Sequence, residues 1–238
     1  MDIFITGGAS GIGEQISKML LSKAHRVLIC YNRSEKSAQK IKSDYPNAEI
    51  FKADLTDRKQ AEAFFEYGIK TFGGIDALIN CAGVSLKGCF QCVSDEAFDS
   101  LMAVNFTCVY KLCSLAVPCF LAKGGGSIIN IASIWGESPA SCEALYSASK
   151  SAVISLTKAM AAELGSSGIR VNCVSPGVID TKMNSALSAE DMEQLRLSTP
   201  LERIGKTDDV ANAVDFLLSD KASFITGQNL IVDGGFLL

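Results

Sequence analysis

The sequence predicts an α/β fold in which a doubly wound sheet of seven mostly parallel strands is flanked by helices on both faces. Short runs rich in Ile, Val and Leu alternate with segments of helical periodicity along all 238 residues. The runs are apolar throughout, which is typical of parallel strands that are buried on both faces. The connections are short and rich in glycine and proline, as βα and αβ loops are.

The elements follow each other in strict alternation. The predicted strands are Asp2–Ile5, Arg26–Cys30, Glu49–Lys52, Ala77–Asn80, Ser127–Ala132, Arg170–Ser175 and Asn229–Val232. The predicted helices are Ile12–Ser22, Ser34–Asp44, Lys59–Phe72, Ala97–Ala122, Leu145–Leu164 and Asp208–Leu217. Because no repeat, linker or charged tail interrupts the pattern, residues 1–238 are predicted to form one domain.

Composition and charge argue against several classes of partner. The chain is 48% hydrophobic and 20% charged, with a formal net charge of −4, so it offers no basic surface to nucleic acid or anionic lipid. No signal-peptide pattern follows Met1, and Asn105 and Lys111 interrupt the apolar stretch Val104–Leu121. We therefore expect a cytoplasmic protein with no membrane span.

Nine cysteines accompany a single histidine, His25. Cys89 and Cys92 form one C-x-x-C pair, but the sequence has no second pair to complete a zinc site. We predict no metal site and expect free thiols in a reducing compartment.

A glycine-rich segment joins the first predicted strand to the first predicted helix. Thr6–Gly13 has the spacing G-x-x-x-G-x-G, which lets the backbone turn tightly and approach a pyrophosphate at the helix N-terminus. A plain turn is the alternative. The predicted dinucleotide contacts in this segment are Gly7, Ser10, Gly11, Ile12 and Gly13.

The end of the second strand indicates which dinucleotide is bound. An Asp or Glu there would bind a ribose 2′-hydroxyl, whereas a 2′-phosphate needs cationic and neutral donors. The sequence has Asn32, Arg33 and Ser34, and no carboxylate before Glu35. NADPH is therefore the predicted cofactor, with NADH as the alternative.

Three polar residues predict a catalytic site. Tyr146 and Lys150 are four residues apart in a helical segment, which places them on one face of the helix. Ser133 follows a predicted strand, and ligands of open α/β sheets bind beyond the carboxyl ends of the strands. These positions predict that the three side chains meet at a dinucleotide site.

With these motifs the chain resembles the short-chain dehydrogenase/reductase family from end to end, and thus a Rossmann-like fold. Further matching pieces are Asp54-Leu55, Asn80–Gly83, Asn105, Pro176-Gly177, Ile225–Gly227 and Asp233–Gly235. One departure is Cys81, where the family more often has a second Asn.

The resemblance implies roles for the matching residues. Tyr146 would donate a proton to a carbonyl oxygen, and Ser133 would hydrogen-bond the same oxygen. Lys150 and the positive nicotinamide would lower the pKa of Tyr146, and Lys150 would bind the nicotinamide ribose. Asn105 would hold a water that relays protons to Lys150. The implied cofactor contacts outside the glycine segment are Asp54, Leu55, Asn80, Ala82, Gly83, Tyr146, Lys150, Pro176, Gly177, Ile179 and Thr181.

The overall pattern is most similar to bacterial 3-oxoacyl-[acyl-carrier-protein] reductases of fatty acid biosynthesis, which implies a small-molecule or carrier-bound carbonyl substrate. Gly124 and Ser167 stand where those reductases usually have arginines that hold the acidic carrier. The segment Ser133–Glu143 instead resembles the branch that reduces a 5-aminopentanone group on elongation factor P, where Glu137 or Glu143 would face the amine.

Other functions stay open. They are a dehydrogenase of small alcohols, sugars or steroids, and, from a different class, a catalytically inactive module that senses a cofactor.

Two further expectations concern apolar surfaces. The stretches Ala97–Ala122 and Leu145–Leu164 are apolar on more than one face, and with the family resemblance this predicts a homotetramer. Within Asp180–Pro200, the apolar side chains have roughly helical spacing and form either a mobile lid or ordinary packing. They are Met183, Leu187, Met192 and Leu195.

Overall fold

The computed structural model describes residues 1–184 and 187–238. The strands are β1 (Asp2–Thr6), β2 (Arg26–Tyr31), β3 (Ala48–Lys52), β4 (Ala77–Asn80), β5 (Gly126–Ile131), β6 (Ile169–Pro176) and β7 (Asn229–Val232). The helices are α1 (Gly11–Ser22), α2 (Glu35–Asp44), α3 (Arg58–Phe72), α4 (Asp95–Met102), α5 (Cys108–Lys123), α6 (Ala144–Leu164), α7 (Ala189–Leu197) and α8 (Thr207–Leu218).

Within the described residues the strands form one seven-stranded sheet in the order β3-β2-β1-β4-β5-β6-β7. Every neighbouring pair is parallel, so the predicted α/β fold is confirmed. Parallel neighbours require a crossover, which the intervening helices provide. The direction of winding reverses between β1 and β4, and a crevice is expected beyond the carboxyl ends of these two strands.

The helices divide between two apolar cores, one on each face of the sheet. On one face, α3, α5 and α6 contribute Phe64, Leu112 and Val153 among others. On the opposite face, α1 and α8 contribute Ile16 and Val214, together with residues of α2. Burial on both faces explains why the strands are apolar at every position.

The prediction of one continuous α-helix over Ala97–Ala122 is wrong in its middle. Residues Ala103–Thr107 form a π-helical turn between α4 and α5. Such turns insert one residue into the helix and often occur at functional sites. The turn carries Asn105, whose side chain is completely buried.

The combined stretch Asp95–Lys123 has the length and mean hydropathy, 1.5, of a membrane-spanning helix. Its α5 part buries Leu112, Ala116 and Phe120 in the core beside the sheet. This packing accounts for its apolar composition, since the central helix of an α/β core meets the same criteria.

Candidate active site

The glycine loop between β1 and α1 is compact in a way that requires glycine. Gly7 has φ +66°, and a Cβ added there would lie 2.9 Å from the Cα of Ala82. A Cβ added at Gly13 would overlap the carbonyl oxygen of Gly7. Gly11 begins α1, and an added Cβ would lie 3.6 Å from Cγ2 of Thr181, on the segment after β6. The loop therefore leaves exposed backbone at a helix N-terminus, which suits the pyrophosphate of a dinucleotide.

Thr6 is a member of this site that the motif analysis did not single out. Its Oγ1 accepts hydrogen bonds from the backbone N–H groups of Cys81 at 3.0 Å and Ala82 at 3.1 Å. These bonds hold the end of β4 against the glycine loop. In the sequence, the only indication of this role is that a residue with a hydroxyl group stands directly before the first glycine. Its hydrogen-bond partners, Cys81 and Ala82, follow from β1 and β4 being neighbours in the sheet.

The predicted adenosine-side residues meet at the ends of β2 and β3. Asn32 hydrogen-bonds the Asp54 carboxylate. Hydrogen bonds from the backbone and side chain of Thr56 lower the pKa of Asp54, with smaller contributions from Asn32 and the nearby Arg33. Arg33 is exposed, and Ser34 precedes α2 without making a side-chain capping bond. The guanidinium of Arg33 is thus accessible to a ligand that binds at this corner.

Three predicted cofactor contacts have side chains that point into the protein. Leu55 and Ile179 are packed into the two apolar cores. The Nδ2 of Asn80 donates to Oδ1 of Asn130 at 2.8 Å inside the sheet. Any contact of these residues with a dinucleotide would therefore use their backbone atoms, and their assignment as cofactor contacts stays a prediction.

The segment after β6 is fixed by the C-terminal part of the chain. Pro176 ends β6, and the N–H of Gly177 donates to the carbonyl of Val232 at 2.9 Å. A Cβ at Gly177 would lie 2.6 Å from Cβ of Asp233. The matching motifs Pro176-Gly177 and Asp233–Gly235 are therefore one packed unit beside the crevice.

Ser133, Tyr146 and Lys150 come together as the sequence predicts. Ser133 follows β5 and is hydrogen-bonded to Tyr146, while its Oγ also accepts from the N–H of Trp135 at 3.2 Å. The Nζ of Lys150 lies 5.8 Å from the centre of the Tyr146 ring and donates to the carbonyl of Ile131 at 2.9 Å. All three side chains are buried.

Burial dominates the electrostatics of this cluster. Burial raises the pKa of Tyr146 to about 12; the hydrogen bond from Ser133 opposes the rise and the charge of Glu143 adds to it. Burial also lowers the pKa of Lys150. The ammonium of Lys150 lies over the Tyr146 ring, and acidification of the phenol by Lys150 together with the positive nicotinamide stays a prediction.

Asn105 anchors the loop that follows β4. Its Oδ1 accepts from the N–H of Val84 at 2.9 Å, and its Nδ2 donates to the carbonyl of Val84 at 2.9 Å and to Ser149 at 3.1 Å. A Cβ at Gly83 would lie 3.3 Å from Nζ of Lys150 and 3.6 Å from Oδ1 of Asn105. Asn105 therefore lies near Lys150, and its predicted water relay stays a prediction.

Of the two candidate carboxylates, Glu143 is the one close to Tyr146. Its side chain is only 13% exposed, and Lys87 lies 3.8 Å away. Burial raises the pKa of Glu143, and the Lys87 charge partly offsets this. Glu137 is instead exposed and accepts a hydrogen bond from Nδ2 of Asn229 at 2.7 Å.

The predicted lid segment lines a cavity beside Thr181. The cavity has a volume of about 360 Å³, within the range of small-molecule sites. It is lined by Asp180, Thr181, Lys182, Asn184, Leu187 and Met192. Leu195 lines a second cavity of about 300 Å³, whereas Met183 is half exposed. Whether the segment moves as a lid stays a prediction.

Over residues 1–184 and 187–238, no group of three or more His, Cys, Asp or Glu side chains is arranged to hold a metal ion.

A phenol that is hydrogen-bonded to a serine and lies beside a buried lysine, at the end of the sheet where a dinucleotide fits, is the arrangement of an oxidoreductase acting on CH–OH and C=O groups. The family model described as "Enoyl-(Acyl carrier protein) reductase" matches residues 7–237. This match and the relatives below show that the chain belongs to the short-chain dehydrogenase/reductase family.

Two curated relatives and one solved structure illustrate the similarity. The 3-oxoacyl-[acyl-carrier-protein] reductase FabG of Staphylococcus aureus is 35% identical, over 98% of this chain and 97% of FabG. A 3alpha-hydroxysteroid dehydrogenase of Mediterraneibacter gnavus is 37% identical, over 97% of this chain and 94% of that enzyme. The 3-ketoacyl-(acyl-carrier-protein) reductase of Brucella melitensis, complexed with NADH, superposes with a TM-score of 0.93 at 33% identity, covering 99% and 98% of the two chains.

Proposed function

We propose that this chain is an NADPH-dependent carbonyl reductase of the cytoplasm that reduces a ketone, with 3-oxoacyl thioesters of fatty acid biosynthesis as the first substrate class. The observation that carries the proposal is the buried cluster of Tyr146, Ser133 and Lys150 beyond the carboxyl end of β5, in which Tyr146 is hydrogen-bonded to Ser133. A phenol in this position can protonate a carbonyl oxygen, as the reductive direction requires. Similarity to FabG supports the substrate class.

Each residue of the cluster has a distinct task in this reaction. A nicotinamide dinucleotide bound at the glycine loop supplies the hydride. Tyr146 releases its proton to the substrate oxygen, a contribution of about 10²–10⁴-fold for a positioned general acid. Ser133 orients the phenol and hydrogen-bonds the same oxygen as negative charge develops on it. The buried ammonium of Lys150 stabilises the tyrosinate that is left behind.

The test is a turnover panel that follows the oxidation of NADPH and NADH. The substrates are acetoacetyl thioesters on a carrier protein and on a small thiol, small ketones, sugars, steroids, and elongation factor P carrying aminopentanone. We expect the highest kcat/KM with NADPH and a 3-oxoacyl thioester. An absence of turnover with every carbonyl would contradict the proposal and favour the inactive cofactor-sensing module.

The preference for NADPH rests on Arg33, an exposed cation beside Asn32. Arg33→Asp is expected to lower kcat/KM with NADPH by about tenfold to a hundredfold, since a hydrogen bond to a charged group contributes about 1.5–3 kcal/mol. The same variant should gain activity with NADH, because a carboxylate can bind a ribose 2′-hydroxyl. Lys36→Asp, the same charge change on α2, is the control, and equal losses in both variants would refute the role of Arg33.

A second candidate substrate is a ketone that carries an amine, such as the aminopentanone group on elongation factor P. Glu143 favours it, because this poorly exposed carboxylate lies near Tyr146 with a single cation 3.8 Å away. The negative charge of Glu143 opposes the formation of tyrosinate at Tyr146. A cationic amine on the substrate would offset this unfavourable electrostatic free energy. The chain has a net negative charge, and it has Gly124 and Ser167 where the carrier-binding arginines usually stand. Both features disfavour binding of an acidic carrier protein.

Glu143→Gln distinguishes the two substrate classes. If the substrate is an amino ketone, we expect kcat/KM for it to fall about tenfold or more, since charges about 4 Å apart near a surface interact by about 4 kcal/mol. The kcat/KM for a neutral β-ketoester should stay the same or rise. Glu137→Gln is the control, because that carboxylate is engaged with Asn229. Equal effects on both substrates would count against amine recognition.

We also propose that the chain assembles as a homotetramer, supported by two separate apolar surfaces. One is formed by Phe98, Tyr110 and Leu121 on α4 and α5; the other, at the β7 edge, is formed by Phe224, Leu230, Ile231 and Leu238. Two different surfaces, each paired with its own copy, generate a tetramer with three twofold axes.

Light scattering is expected to give a molar mass four times that of one chain. Phe224→Glu and Tyr110→Glu should each produce dimers, because each charge disrupts one of the two interfaces. A monomeric wild-type protein would contradict the assembly.

A further inference from the structure

The nine free cysteines fall into chemically different groups. Burial raises the pKa of five of them. The pKa is raised to about 12 for Cys81, Cys108, Cys113 and Cys173, and it is also raised for Cys30. Cys119 is partly buried and donates to the carbonyl of Leu115. Three are exposed: Cys89, Cys92 and Cys142. Because the thiolate is the reactive form of cysteine, oxidation chemistry is concentrated in the exposed group.

Cys89 and Cys92 are already placed for a disulfide. Cys89 precedes a single 3-10 turn, Phe90–Cys92, and Cys92 is its last residue, whose N–H donates to the carbonyl of Cys89 at 2.9 Å. A turn closed in this way brings its end Cα atoms within about 7 Å, and disulfides span Cα separations of about 4.4–6.8 Å. Cys89 has the extended backbone of an N-cap, with φ −62° and ψ 136°, and an N-cap side chain can reach back to the third residue of the turn, which here is Cys92. The turn therefore brings the two cysteines within the range that a disulfide can span.

The pair lies on a loop that is tied to the catalytic cluster. We call residues 84–94 the active-site loop. Asn105 holds the start of the loop at Val84. Farther along, the N–H of Gly88 donates to the carbonyl of Cys142 at 2.8 Å, just before α6 and Tyr146. No third His, Cys, Asp or Glu among the described residues completes a metal site with the two thiols.

We propose that Cys89 and Cys92 are a reversible redox modification site on the active-site loop, converted to an intramolecular disulfide by a small disulfide such as oxidised glutathione. The thiolate of one cysteine attacks the small disulfide, forming a mixed disulfide and releasing one glutathione. The thiolate of the other cysteine then attacks the protein sulfur of that mixed disulfide and releases the second glutathione. Two protein thiols are oxidised and one glutathione disulfide is reduced.

This site goes beyond the proposed reductase activity, because no step of carbonyl reduction uses a thiol. A disulfide in a reducing compartment is typically transient and regulatory, which fits a pair of exposed cysteines. Cys142 is the natural competitor, since it is exposed and its backbone contacts the same loop.

To test the proposal, the full-length protein is reduced, desalted and incubated with oxidised glutathione, and its peptides are then analysed by mass spectrometry. We expect the peptide containing Cys89 and Cys92 to lose two hydrogens without a glutathione adduct, and dithiothreitol to restore it. In Cys92→Ser, Cys89 should instead retain a glutathione adduct, because the resolving thiol is missing. Cys142→Ser is the matched control and should form the same disulfide as the wild type. All three side chains are exposed, so these variants are expected to fold.

Three results would overturn the proposal. The first is a stable glutathione adduct on both cysteines of the wild-type loop, which would show that the two sulfurs do not reach each other. The second is a disulfide from either cysteine to Cys142. The third is an unmodified loop at a glutathione disulfide concentration that modifies Cys142.

Discussion

Replacing Tyr146 by phenylalanine is expected to lower kcat for carbonyl reduction by about 10²–10⁴-fold, the contribution of a positioned general acid. The change removes only the hydroxyl, and the ring keeps its place beside Lys150. Ser133 retains its hydrogen bond from the N–H of Trp135, so the loss of its phenol partner does not leave it unsatisfied. The measurements are kcat by NADPH oxidation and the dinucleotide Kd by fluorescence titration.

The matched control is Tyr110→Phe, which removes the same hydroxyl from a side chain that is 55% exposed on α5. This variant should keep wild-type kcat, and both variants should keep the wild-type dinucleotide Kd. If Tyr146→Phe retained full turnover, proton donation by this residue would be disproved and another acid would have to be found.

Replacing Gly13 by alanine is expected to damage both the fold and the dinucleotide site. The new Cβ would overlap the carbonyl oxygen of Gly7, a backbone atom that cannot rotate away as a side chain can. Forcing an extra carbon into a packed site costs about 1–3 kcal/mol, and we expect the free energy of unfolding to fall by that amount. Movement of the glycine loop should raise the dinucleotide Kd at least about tenfold, which corresponds to 1.4 kcal/mol.

Gly74→Ala provides the comparison, since a Cβ there meets no atom within 4 Å. Denaturant unfolding and dinucleotide titration should give wild-type values for this variant. A Gly13→Ala protein with unchanged stability and unchanged Kd would show that the loop does not depend on the close approach of Gly7 and Gly13.

The sequence determined the order of strands along the chain and the residue types of the site, because both are local properties. Apolar runs fully buried in a parallel sheet differ visibly from amphipathic helices, so every strand was predicted within a few residues of its observed bounds. Tyr146 and Lys150 are four residues apart, and this spacing puts both side chains on one face of α6 whatever elements pack against the helix. Ser133 was expected at the same edge because it follows a strand.

The tertiary structure alone decided which side chains face the crevice and what charges they meet. Leu55, Asn80 and Ile179 point into the protein, an orientation that depends on packing against elements distant in sequence. The π-helical turn at Asn105 likewise interrupts a stretch whose local pattern is helical throughout.

The pKa of Tyr146 is the clearest case of a property that the sequence could not supply. Burial raises the pKa to about 12, an effect that the four-residue spacing from Lys150 does not reveal. Spacing along a helix decides which side chains are near each other, but the free energy of an ionised phenol depends on how much water the surrounding elements exclude. That exclusion is created only when β5, α6 and the active-site loop come together.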